Sequence, residues 1–528
     1  MNRLKESFLR NKTWLLFSLI STFLWGFLAH GYCFFDNSVS HDSLNEYHAA
    51  IFGNEWKMQL GRIFTPFYRD LLRSDATLPW LIGVLSLFWL GLTVFLILRI
   101  FRVGSKVTAF LIAGVFTVNI SVSAIAATYL NDLDSNMFAL LCAIAAVYLW
   151  KRSAWGVLPG GVLIAVSLGI YQSYLFAAIA VVMFVCIFWI LDGETFPSVM
   201  LRGLRAIGMF LLGGLLYYLA MKAVLSCSGL SLTSGDYNSL DKALELTPST
   251  FFSLTAGAYQ DFFFRLMNAY TTYPSIIIKG ITLLLLGLSA ISIAVGLLQR
   301  HIRIPEKLLC LLLICLLPFT MNLLYVLTIG ENHDLMVYAI WLFYLLALLL
   351  ADWLLCHWKN SEFHAKRKQK AAAAMNLLCM LAVFVILYGS VQFSNGMYLK
   401  KDQEYDAYLS LMTRIVGRME GCEAYIPGET PVVFVGLPTD LNKITPGFKE
   451  YRNVIGMLSS DVICLPEKSR YQAYFDYVLG TPILLAEDSV WNAVLESQST
   501  AEMPDYPASG CLEMLDGVLI VKLGDVPK

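Results

Sequence analysis

The chain alternates long apolar runs with short charged connections. The runs lie near 14–35, 79–101, 107–128, 136–150, 157–171, 173–191, 206–226, 275–298, 307–328, 335–355 and 372–392. A helix needs ~20 apolar residues to cross a bilayer core of ~30 Å. The pattern therefore predicts an α-helical polytopic membrane protein with about eleven transmembrane helices. The connections orient it. Arg3, Lys5, Arg10 and Lys12 precede the first run, and every second connection is basic: Arg99, Arg102 and Lys106; Lys151 and Arg152; Arg202 and Arg205; Arg300, Arg303 and Lys307; and Lys359 to Lys370. Lys and Arg collect in cytoplasmic loops, so the amino end and these connections are expected inside. The first run lacks the short apolar core and small-residue cleavage site of a removable signal, and reads as an uncleaved span.

On this parity the outward segments are the loops 36–77, 129–135 and 227–273 and everything after Phe393. In the third loop, Phe251, Phe252, Leu254 and Tyr259, then Phe262, Phe263, Leu266 and Tyr270, recur at helical spacing around Asp261, Arg265 and Asn268. That is the signature of an amphipathic helix in the membrane interface. After Phe393 the period changes. Residues 402–419 read as one helix, and PVVFVGL, DVICLPE, TPILLAE and GVLIVKL read as short buried strands. The expected organisation is a transmembrane domain over 1–392 and a small extracytoplasmic α/β domain over 393–528.

Composition agrees with the membrane reading: 57% of the 528 residues are hydrophobic, 15% are charged, and the mean hydropathy is +0.63. A net charge of −1 offers no basic surface for a nucleic acid, so none is expected as a partner. The eleven cysteines are scattered without a Cys-x-x-Cys pair, which argues against a zinc site.

Candidate chemistry gathers in two outward places. The first loop holds Asp36, Asp42, Glu46, Glu55, Asp70 and Asp75 with His41 and His48. Asp42 and Glu46 are four apart and share a face if helical, a spacing that a solvated helix face also produces. A divalent metal held by the histidines and acids stays open, though no HExxH pattern supports it. The second place is Asn131-Asp132-Leu133-Asp134-Ser135, at the outer end of the third run. Acids at the edge of an apolar bundle are costly and tend to be functional. The alternative is that Asp134 or Ser135 caps the fourth span.

The order of these elements is specific. HDSLNEY follows the first span, Gly61-Arg62 stands in QLGRIFTPF, Asp134-Ser135 follows the third span, and Tyr171-Gln172 stands at an outer turn in GIYQSYLFA. Over residues 10–355 the chain resembles the bacterial O-antigen glucosyltransferases, polytopic enzymes of the GT-C type. Two departures stand out: Asp42-Ser43 replaces the paired acids frequent in that family's first loop, and the motifs do not account for the terminal domain.

The resemblance implies a polyprenyl-phosphate-linked sugar, with glucose first in line, as donor. A glycan or cell-wall polymer would be the acceptor, at the outer face of a bacterial cytoplasmic membrane. Asp42 is the expected base, with Glu46 its rival and Asp134 sharing proton transfer or positioning the acceptor. Arg62, with Lys57 and Arg265, would contact the donor phosphate, unless Lys57 and Arg265 only snorkel to lipid headgroups. Asp132, Tyr171 and Gln172 would line the substrate site, unless Tyr171 and Gln172 only close their turn. The competing reading is a transporter or flippase of a lipid-linked or small anionic substrate. No inverted repeat and no matched pair of broken spans supports it.

Overall fold

The computed structural model describes residues 2–36, 44, 53–74, 76–233, 246–298, 302–359, 366–436 and 468–524. Its helices follow in chain order as α1 (Asn2–Phe35), α2 (Gly53–Gln59), α3 (Thr65–Leu72), α4 (Pro79–Phe101), α5 (Lys106–Thr117), α6 (Ile120–Thr128), α7 (Leu133–Arg152), α8 (Val157–Leu168), α9 (Tyr174–Leu191), α10 (Phe196–Ser228), α11 (Pro248–Met267), α12 (Ser275–Leu297), α13 (Ile304–Met321), α14 (Leu323–Leu327), α15 (Leu342–Lys359) and α16 (Lys366–Glu420), with three short helices, Lys468–Tyr474, Asp488–Glu496 and Gln498–Glu502, after them. The protein is a helical polytopic membrane protein. Among the described residues nine helices are long and apolar enough to cross a membrane, or ten if the bent pair α5 and α6 forms one span.

The expected count of eleven is therefore reduced, for a physical reason at each site. α8 has 12 residues and rises ~18 Å, short of a bilayer core of ~30 Å. α5 and α6 meet at a bend of 41°. Asn119 makes that bend: its amide donates back to the Val115 and Phe116 carbonyls at 3.0 and 3.3 Å, and its side-chain oxygen accepts the Val122 amide at 3.3 Å. One side chain thus closes the first helix and caps the second.

The chain divides into two compact units, one comprising 1–34, 54–126 and 132–395, the other 35–53, 127–131 and 396–528. In the first, the inner helices are Leu130–Arg152, Tyr174–Leu191 and Tyr338–Trp358, mostly buried, whereas Phe196–Ser228 and Ile304–Met321 bury few of their residues. α8 and α10 approach closely through small residues: a Cβ on Gly213 would stand 3.0 Å from the Gly161 carbonyl. Such contacts draw helices together where lipid offers no hydrophobic gain. α11 is amphipathic as its period predicts. Thr247 and Thr250 form a capping box, Ala258, Phe262 and Leu266 are buried, and Phe252 and Phe264 face outward.

The second unit contains a four-stranded sheet in the order β2 (Leu484–Leu485), β1 (Pro431–Val435), β4 (Val518–Lys522), β3 (Leu512–Leu515). β1 runs parallel to both neighbours, with Val433 opposite Ile520, while β3 pairs antiparallel with β4. Its continuous run of buried residues suits a central parallel strand. Tyr408, Met412, Ile415 and Met419, spaced along one face of α16, share a core with β1, β4 and Leu44. Three of the expected strand segments contain strands; DVICLPE lies outside the described residues, and β3 was not anticipated. The expected separate helix at 402–419 is instead the end of α16. The polar run after Phe393 contains no proline, and Lys400 pairs with Glu404 at 3.0 Å one turn on, so the helix continues.

Candidate active site

α2 ends in a Schellman closure. The Arg62 amide donates to the Lys57 carbonyl at 2.8 Å and the Gly61 amide to the Met58 carbonyl at 2.9 Å. That closure needs a left-handed residue, and Gly61 has φ +77°. The Tyr217 hydroxyl then donates to the Gly61 carbonyl at 3.0 Å, and the Gln172 amide donates to the Leu60 carbonyl at 3.3 Å. These bonds satisfy carbonyls that a helix end leaves open. The turn fixes Lys57 and Arg62 with respect to each other.

α3 starts with Pro66 in its first turn and buries Thr65, Tyr68 and Arg69. Arg73, one turn beyond Arg69, extends that face. Across from it stand the first residues of α7. Asp132, at the helix N-cap, accepts Arg69 Nη2 at 2.7 Å and Lys57 Nζ in a short contact, and lies 3.6 Å from Arg62 Nη1. Asp134 Oδ2 accepts Arg73 Nε at 2.8 Å. Ser135 donates to the Asp132 carbonyl at 2.9 Å, and no side chain caps α7, so the capping role considered for Asp134 and Ser135 is not what they do. The Tyr68 hydroxyl accepts Trp89 Nε1 at 2.8 Å; burial, then the nearby Asp134 charge, raise its pKa, so it stays neutral.

One carboxylate is thus the shared partner of three cations at the positive end of a helix dipole. The cations are not equivalent. Arg69 is fully buried and Lys57 nearly so, whereas the Arg62 side chain keeps 15% of its exposure and stacks over the Tyr171 ring at 4.9 Å. Arg62 is the most loosely held of the three. The arrangement suits an anion with several oxygens, which can pair with guanidinium and ammonium groups together.

The profile of the family described as Glucosyl transferase GtrII matches residues 31–350, more than half of the chain. The chain belongs to this family. No curated protein and no solved structure matches it. With its membrane-spanning helices, this GtrII-family protein is a membrane glucosyltransferase. The matched span contains Lys57, Arg62, Arg69, Arg73, Asp132 and Asp134 and ends within α15, ahead of α16 and the sheet.

In this GtrII-family enzyme the structure brings together Lys57, Arg62 and Asp132, sets Asp134 two residues away, and places Tyr171 beneath Arg62. Lys57 is buried against Asp132, not snorkelling at a surface. Gln172 reaches across to the Leu60–Gly61 turn, donating to the Leu60 carbonyl and the Tyr217 hydroxyl, a role the sequence does not suggest. Arg265 has different partners. Its Nε donates to Asp261 at 2.8 Å, Nη1 to Asp334 at 2.5 Å and Nη2 to the Asn332 side chain at 3.0 Å. Two carboxylates on one guanidinium repel an added anion, so Arg265 does not suit the donor phosphate. Asp42, Glu46, His41 and His48 lie outside the described residues. Among the described residues no group of three or more His, Cys, Asp or Glu could hold a metal ion. Arg69 and Arg73, absent from the sequence reading, are pointed to there only by their four-residue spacing on a short helix.

Proposed function

We propose that this glucosyltransferase is of the GT-C type and moves glucose from a polyprenyl-phosphate donor to a cell-surface glycan or polymer at the outer face of the bacterial cytoplasmic membrane. The observation that carries this reading is the convergence of Lys57, Arg62 and Arg69 on one carboxylate position. When the bond between the sugar and the phosphate oxygen breaks, its electron pair stays on the phosphate, and cations around that oxygen stabilise the charge that develops. Arg62 and Lys57 serve this need, with Tyr171 steadying the guanidinium. The acceptor hydroxyl gives its proton to a carboxylate. Asp42 takes that role, with Glu46 second, because Asp134 is already paired with Arg73. The basic connections support an inward amino end; with nine spans a reporter at Lys368 should then read cytoplasmic and one at Glu502 extracytoplasmic.

The test is incubation of the purified chain with polyprenyl-phosphate glucose and a glycan acceptor, following release of polyprenyl phosphate. Acceptor-dependent release supports the reading. Movement of the intact donor across a vesicle membrane without release would replace it with the transporter reading.

A further inference from the structure

We propose that Asp132 is the phosphate site's own counter-anion: it holds the cations between turnovers, gives them up to the donor, and by reclaiming them speeds departure of the product phosphate. The inference rests on the donor reading above. Its basis is that Asp132 is not an extra ligand beside the cations but the point on which they converge, Arg69 at 2.7 Å, Arg62 at 3.6 Å and Lys57 in a short contact. Phosphate oxygens that take Lys57 and Arg62 must occupy positions the carboxylate now fills. Two anions at one place repel, so binding of phosphate and pairing with Asp132 are antagonistic, and each weakens the other by the same factor.

The geometry also says which contacts exchange. Arg62 stands beyond hydrogen-bond distance of Asp132, is the most exposed of the three and rests on Tyr171, so it can turn to an incoming anion while Arg69, fully buried, keeps hold of the carboxylate. Arg73 stays on Asp134 throughout.

The experiment measures affinity of the purified full chain in detergent for a short-chain prenyl monophosphate, for phosphatidic acid and for inorganic phosphate. Asp132→Asn keeps the shape and removes the competing charge, and should bind the prenyl monophosphate about tenfold tighter than the parent. It should also lower kcat and the product inhibition constant together. A merely structural aspartate, once lost, would weaken binding. Asp132→Glu retains the charge on a longer arm and should bind no tighter than the parent; it keeps the test open if the Asn variant fails to fold, because tighter binding by the Glu variant overturns the inference. Tightening shared by all three phosphates supports the exchange and assigns it to the phosphate group. Tightening confined to the prenyl compound supports it with the chain as part of the ligand. A parent that binds prenyl monophosphate, with an Asn variant that binds equally or more weakly, overturns this inference alone. A parent that binds none of the three removes the donor reading as well.

Discussion

Two buried ion-pair networks within the transmembrane unit use the same residue types in opposite proportions. At the start of α7, Asp132 is shared by Lys57, Arg62 and Arg69. Beside α11, Arg265 is shared by Asp261 and Asp334. The second network is closed further by amides and a phenol: Asn322 and Asn332 donate to Asp261 at 3.0 and 3.3 Å, and Tyr270 donates to Asp334 at 2.8 Å. It also anchors a strained turn, where Ile329 and Gly330 take φ of +52° and +88°. A β-branched residue in that region persists only where its surroundings over-determine it. Burial and pairing alone therefore do not mark an active site. The first network has a cation held loosely at its edge and invites an anion, whereas the second consumes its donors and acceptors in fixing α11 to the chain after α14.

The largest expected effect is on turnover, and it sets the proposed base against the second network. Asp42→Asn should reduce kcat by roughly 10²–10⁴-fold, the usual cost of losing a general base, with the melting temperature unchanged. Glu46→Gln should reduce it less. Asp334→Asn in the second network should lower the melting temperature and leave kcat near parental in the folded protein. Steady-state rates at saturating donor, with melting curves on each variant, decide it. An inactive but stable Asp334→Asn protein alongside an active Asp42→Asn protein would move the base to the second network.

Next comes stability. Arg265→Ala leaves Asp261 and Asp334 facing each other without their shared cation, and removing one partner of a buried pair costs about 3–5 kcal/mol. Denaturation should show that loss while the donor KM of the folded fraction stays at its parental value. A raised donor KM with stability intact would mean that the second network also touches the donor.

Arg62 should give the opposite result. Arg62→Ala removes a charged contact worth about 1.5–3 kcal/mol, so the donor KM should rise roughly 10- to 100-fold with little change in melting temperature. Arg62→Lys should fall between, because an ammonium cannot present two donors in one plane to two phosphate oxygens. Donor titrations at fixed acceptor measure both. Equal and negligible effects would make Arg62 a structural partner of Asp132 and erase the contrast with Arg265.

The two regions were not equally readable in the chain. Apolar runs announce membrane helices because the bilayer imposes a length, and every expected run contains a helix. Their failures as full spans depend on side chains that periodicity does not weigh, such as Asn119 turning back on its own helix. The Gly61-Arg62 pair was legible as a motif, and its cause is local, a helix closure that only glycine makes cheaply. The ion pairs were not legible, since Arg69 and Asp132 lie 63 positions apart and nothing in either neighbourhood encodes the other. A helix cap was the alternative for Asp134 because local sequence allows it, but Arg73 offers a charge-assisted bond that wins. The continuity of α16 through Phe393 was missed for the opposite reason. A change from apolar to polar residues at Phe393 marks where the surroundings change, and a helix can pass through such a point without a break.

The smallest effect tests how the exchanging cation is steadied. Tyr171 is buried with its ring beneath the Arg62 guanidinium at 4.9 Å. A cation over an aromatic face gains about 0.5–1 kcal/mol, and up to about 2 where water is excluded. Tyr171→Phe keeps the face and should leave the donor KM within about twofold of parental. Tyr171→Leu keeps apolar volume without the π-system and should raise it about two- to fivefold, with kcat nearly unchanged. Because removing an aromatic ring also opens a cavity, melting curves must accompany the titrations. A Leu variant with lower stability but parental donor KM would assign Tyr171 to packing against Tyr174, whose ring lies 5.3 Å away, and leave Arg62 held by Asp132 alone. If both variants raised the donor KM by the amount Arg62→Ala does, the hydroxyl itself would be a donor contact, and the cation-centred distinction between the two networks would have to include it.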